Sequence, residues 1–136
     1  MAGAPKYWTL QGASPSGHGR QEFRIPSSLV EHIQRYGPQH KFHELRLVKE
    51  VLELPTVIFT GLREEQEDGL CYAGIPSGSY TNEGKRKAPL KGKIFLVFVT
   101  ESGHVFQWRW EEADPKMEGY PLDWRERFES QKWPKS

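Results

Sequence analysis

The sequence predicts an α+β domain: two N-terminal helices packed on one face of a twisted four-stranded antiparallel sheet, with a short C-terminal helix. Three observations predict it. Apolar residues recur at helical spacing up to residue 54, short runs rich in β-branched and aromatic residues follow from residue 56 to 110, and these two kinds of segment do not alternate. With 136 residues the chain suits a single core, and its 5 Trp, 5 Tyr and 7 Phe supply much of the area that core must bury.

The first nineteen residues are rich in Gly, Pro, Ala and Ser, and read as a flexible leader with Tyr7, Trp8 and Leu10 available to dock it. Residues 20–136 then form one domain. "EFRIP" is a short extended segment. Ser28 and Glu31 make a capping box, in which each side chain satisfies an amide left open by the other's turn, so a helix is expected from Ser28 to Tyr36. Gly37-Pro38 stops it. A second helix is expected from Lys41 to Leu54, with Phe42, Leu45, Val48 and Val51 or Leu52 on its apolar face, ended by Pro55.

"TVIFTGL", "LCYAGIP", "KIFLVFVT" and "HVFQWRW" are the four expected strands. "KIFLVFVT" is apolar on both faces and therefore central. Ser102-Gly103 suits a hairpin turn to the last strand, where alternation places Phe106, Trp108 and Trp110 on one face and Val105, Gln107 and Arg109 on the other. A final helix is expected from Leu122 to Gln131, with Trp124, Phe128 and Trp133 folding back on the body.

A formal charge of +1 leaves no whole-molecule field, so any electrostatic selection of a partner must be local. "REEQED" is mostly acidic. "GKRKAPLKGK" carries five cations, Lys85, Arg86, Lys87, Lys91 and Lys93, with Tyr80 just before it. Such a loop suits a phosphate backbone, because each neutralised phosphate releases counterions; the alternative is a solvated surface loop. The one cysteine, Cys71, lies in an apolar run and reads as a buried, inert thiol. The chain shows neither an apolar run long enough to span a bilayer nor the hydrophobic centre of a signal peptide, so the expected site of action is cytoplasmic and no membrane partner is expected.

Histidine is the side chain whose unperturbed pKa, about 6.5, lets it give and take a proton near neutrality. His32 borders the apolar stripe of the expected first helix, where it would be both fixed and accessible; the structural alternative is a hydrogen-bond donor within the fold. His40 and His43 flank the start of the second helix, and His18 and His104 read as loop and turn residues. His32, His40 and His43 lack metal-ligand spacing and there is no second cysteine, so no metal or other cofactor is expected. A phosphate-binding glycine loop and a nucleophile elbow are also missing. Metal-free RNA cleavage needs a base for the 2'-hydroxyl, an acid for the departing 5'-oxygen and cations facing the phosphorane. His32, Tyr72, Lys93 and Arg109 are the candidate catalytic set, provided the strands present the last three toward the helix. Arg35, Tyr36, His40, Lys85, Arg86, Lys87 and Gln107 are the candidate substrate-binding residues.

"EHIQRYGPQHKFHELRLVKEVLELPTVIFTG", followed by "GLCYAG", "GKIFLVFVT" and "GHVFQWRW", resembles the barnase, EndoU, colicin and RelE-like superfamily of small nucleases, in its phage-associated and bacterial polymorphic-toxin branches. The shared features are the His32-Ile33 pair, a second helix closing at Leu54-Pro55, and the strand order; they span residues 27 to 112. The resemblance implies a toxin-type hydrolase, a metal-independent ribonuclease that leaves a 2',3'-cyclic phosphate, often acts on tRNA, and often has an immunity protein or antitoxin as partner. Tyr36 stands where relatives often carry a second histidine, and Gln107 where a serine or threonine is common. The second expectation is therefore a noncatalytic RNA- or protein-binding module on the same fold, an immunity- or antitoxin-type protein included, with Trp108, Trp110, Trp124 and Trp133 as an aromatic surface.

Overall fold

The computed structural model describes residues 7–15, 19–27, 45–64, 67–80, 85–87, 91–115 and 129–132. Strands β1 (Tyr7–Ala13) and β2 (Arg20–Pro26) form a two-stranded antiparallel ribbon in register from Tyr7↔Pro26 to Ala13↔Arg20. Helix α1 (Leu45–Glu53) follows, then β3 (Val57–Glu64) and β4 (Glu67–Gly74), the short pair β5 (Ser79–Tyr80) and β6 (Arg86–Lys87), and β7 (Lys93–Thr100), β8 (Val105–Glu112) and β9 (Glu129–Lys132). The main sheet has the order β8-β7-β4-β3-β9, and every pairing in it is antiparallel.

This architecture corrects the expected one in three places. The described residues contain one helix, and the sheets have five, two and two strands instead of four in one sheet. The expected first helix, Ser28–Tyr36, lies outside the described residues. Within the segment read as a leader, Tyr7–Ala13 is a strand: paired with β2, its backbone has hydrogen-bond partners that glycine- and alanine-rich composition alone could not signal. Within the expected final helix, residues 129–131 belong to β9, which pairs with β3 from Val57↔Lys132 to Thr60↔Glu129. "ESQK" has no apolar alternation and is specified by an open sheet edge, not by local pattern.

Helix α1 buries Leu47, Val48, Val51 and Leu52, two pairs one turn apart, while Lys49 and Glu53 form an i,i+4 ion pair of 3.1 Å on its outer side. It shares the first face of the main sheet with the β1–β2 ribbon. There α1, together with Ala13, Phe23 and Ile25 of the ribbon, covers Ile58, Leu70, Tyr72, Phe95, Val97, Val99, Val105 and Trp108. Val57, Phe59, Cys71, Ala73, Ile94, Leu96 and Phe98 form a second buried cluster on the other face. β7 contributes to both clusters, and its residues 94 to 99 are buried without a break, as an interior strand requires.

The turn from β7 to β8 is closed by bonds from the Gly103 amide to the Thr100 carbonyl and from the Thr100 amide to the His104 carbonyl, both 2.9 Å. Gly103 has a φ of +94°, which a side chain rarely tolerates, and its carbonyl accepts the Arg24 amide at 2.9 Å. The turn thereby anchors the ribbon. Just beyond it, Phe98 pairs with Gln107 but Val99 pairs with Val105, so Phe106 is an extra residue in β8. This β-bulge reverses the expected alternation. Val105 joins Trp108 on the first face, and Phe106 packs against the second cluster, 6.3 Å from Phe98 between ring centroids.

Candidate functional site

The strand registers decide which candidate side chains can meet. Directly paired residues of antiparallel strands share a face. Tyr72 pairs with Val97 and lies on the first face; Arg109 pairs with Leu96 and Gln107 with Phe98, which puts both on the second. Alternation along β7 places Lys93 with Phe95 on the first face. Tyr72 and Arg109 thus project from opposite sides of one sheet, and no single cleft holds Tyr72, Lys93 and Arg109. His32, Arg35, Tyr36 and His40 lie outside the described residues.

Tyr72 is fully buried. Its hydroxyl donates to the Ala13 carbonyl at 2.7 Å, and its ring meets Phe23 edge-on at 5.3 Å, so it joins the sheet to the ribbon instead of facing a substrate. Burial raises its pKa well above the ordinary phenol range. Replacing Tyr72 with Phe leaves the Ala13 carbonyl without its donor, and a loss of about 1–3 kcal/mol is expected in urea unfolding. A raised folded-state pKa means that the unfolded chain ionises first, so this contribution is intact below about pH 10 and declines as pH rises beyond it. The stability gap between wild type and Tyr72→Phe should therefore narrow in alkali.

Arg109 is held on both sides. Its Nε donates to Glu111 Oε1 at 2.7 Å, and its guanidinium carbon sits 4.7 Å from the centre of the Phe98 ring. Lys93 Nζ lies 3.9 Å from Glu112 Oε1, with both side chains well exposed, a pairing that contributes little and leaves the ammonium accessible. The expected aromatic surface is also altered. Trp108 is buried in the first-face core, Trp110 meets Phe95 edge-on at 5.1 Å, and Trp124 and Trp133 lie outside the described residues.

The basic run falls on two described pieces of the chain, in separate sheets. Arg86 and Lys87 form β6, opposite Tyr80 and Ser79 of β5; Lys85 precedes that strand and is exposed. Lys91 is exposed in the turn that leads through Gly92, with a φ of +70°, into Lys93 and β7. Lys91 and Lys93 therefore enter the sheet at the end where β4 finishes, since Gly74 pairs with Phe95. Among the described residues, no group of three or more His, Cys, Asp or Glu side chains is arranged to hold a metal, and no helix is long and apolar enough to cross a membrane.

The sequence reading missed two exposed apolar residues at this same end, Leu54 and Ile75. It counted both as the last apolar residue of an element. Each directly precedes a proline, Pro55 and Pro76, which marks the end of an element but not exposure, since Ile25 also precedes a proline and is buried. Comparison of the chain with family models, curated proteins and solved structures returns no match.

Proposed function

We propose that this protein is a noncatalytic RNA-binding module that grips the phosphate backbone with the cations of residues 85–93. The observation that carries the reading is five cations in nine residues without an intervening acid, placed on a short strand and the turn into β7. Cations adjacent in sequence in a nearly neutral chain make a local positive field, which a polyanion recognises and a neutral partner does not. The noncatalytic half of the reading is supported by the sealed hydroxyl of Tyr72 and by the separation of Arg109 from Lys93 across the sheet.

The test is fluorescence anisotropy with labelled tRNA and with a single-stranded RNA across a range of salt, together with gel analysis of the same RNAs after incubation in EDTA. Affinity is expected to fall steeply with salt, and the slope of log K against log salt should shrink by roughly 0.7 for each phosphate contact to a single strand that is removed. The combined change of Lys85, Arg86, Lys87 and Lys91 to Ala is expected to remove most of the binding. Salt-insensitive binding, or the same affinity after the fourfold change, would count against the proposal. RNA cut in EDTA by the wild type but not by His32→Ala would replace the noncatalytic reading with a ribonuclease.

A further inference from the structure

We propose that two copies of this chain join through β8, edge to edge and antiparallel, with Trp110 on the twofold axis. The surface is separate from the cation run, so the proposal stands or falls independently of RNA binding.

β8 is one end of the strand order β8-β7-β4-β3-β9, so one row of its backbone N–H and C=O groups points away from β7. The ribbon meets this strand at its start, where the Arg24 amide bonds the Gly103 carbonyl at 2.9 Å and Arg24 bridges His104 in parallel. Two residues further on, β2 ends at Pro26, which has no amide hydrogen with which to continue a ladder. Burial changes along β8 accordingly. Trp108 is buried, whereas Arg109, Trp110 and Glu111 are partly exposed and Glu112 is exposed. Their partners on β7, Ile94 to Leu96, are all buried. The half of β8 beyond Trp108 is therefore the half that another molecule can reach.

An edge of this kind takes up another extended strand, and the side chains decide which one. β8 complements its own reverse. Backbone groups of successive residues face opposite edges of a strand, so outward groups of one copy meet outward groups of the other only when the axis passes through a residue. An axis at Arg109 sets guanidinium against guanidinium, and one at Glu111 or Glu112 sets carboxylate against carboxylate. An axis at Trp108 runs the pairing into the bulge at Phe106. At Trp110 the charges match: Arg109 faces Glu111 of the second copy, and Glu111 faces Arg109 of the second copy.

Both charged residues lie on the second face of the sheet, since Arg109 pairs with Leu96 and Glu111 with Ile94. Within one chain they are 2.7 Å apart, with side chains 30% and 36% exposed. Association brings two such ion pairs together as four charges of alternating sign. On the first face Trp110, beside Phe95, meets Trp110 of the second copy as an aromatic cross-strand pair. The contact is isologous, and it joins two five-stranded sheets into one.

The test is sedimentation velocity on the full chain over a concentration series up to roughly 0.1 mM, with Arg109→Glu and Glu111→Arg run separately and mixed. The wild type is expected to pass from monomer to dimer. Each reversal turns both cross-strand charge pairs from attraction to repulsion, so the dissociation constant should rise roughly ten- to a hundredfold. Mixed in equal amounts, the two variants are complementary again and should recover a heterodimer, which a fold defect or the lost intrachain pair could not produce. A wild type that stays monomeric overturns the proposal. So does a dimer that neither reversal weakens, which would place the contact elsewhere, and so does failure of the mixed variants to associate. Hydrogen exchange on the unaltered chain decides the matter if a variant folds poorly: protection of amides 108–112 is expected to rise with concentration, and protection there that is independent of concentration overturns the proposal.

Discussion

Phe95→Ala is expected to cost about 3–5 kcal/mol of unfolding free energy, a large part of the roughly 5–15 kcal/mol typical of a folded domain. Phe95 is fully buried on the first face of the sheet and meets Trp110 edge-on at 5.1 Å. Its partner on the other side is Gly74, which has no side chain to move into the space. The void would be bounded by β4, β7, α1 and the Trp110 ring of the edge strand β8, and apart from that ring its walls can close only by shifting backbone, so the cavity term adds to the lost transfer energy. Urea unfolding followed by tryptophan fluorescence will measure the change. A loss below about 1 kcal/mol would mean that the core around β7 collapses readily into the space.

Gly69→Ala is expected to be the second large effect, lowering stability by about 2–3 kcal/mol. Intrinsic preference points the other way, since alanine in a regular strand is ordinarily favoured over glycine by roughly 0.5–1 kcal/mol. The opposing term is steric. A Cβ on Gly69 would overlap the Val99 carbonyl oxygen, and its next neighbours are also backbone, the Val99 carbonyl carbon and the Thr100 Cα. A flexible side chain could swing away, whereas these atoms can yield only by separating β4 from β7 where Gly69 pairs with Thr100. The sign of the change therefore discriminates: stabilisation would show that the two strands can part without penalty at that point.

These two positions also show what sequence can and cannot specify. β7 was legible because six consecutive apolar residues have few places to go except the middle of a sheet, and α1 because its apolar residues recur one turn apart. β1 was not, because its buried Gly12 and Ala13 carry so little hydrocarbon that their burial depends on the close approach of Phe23 and α1. β9 was not legible either, because a polar edge strand needs only a free row of backbone groups beside it. The charge run at 85–93 could be read directly from the residues present. The proposed meeting of Tyr72, Lys93 and Arg109 could not, because which residues of different strands share a face depends on the pairing register, and here Tyr72 comes level with Trp108, the neighbour of Arg109.

The anchoring of the β1–β2 ribbon has a consequence for the order of events during biosynthesis. The Ala13 carbonyl takes its proton donor from a tyrosine 59 positions later, and the Arg24 amide must await the bend at Gly103. At roughly 5–20 residues per second, the ribbon spends seconds without its seat. Phe23 and Ile25 travel uncovered for that interval, which leaves this hairpin open to a chaperone until Tyr72 and Gly103 have been added.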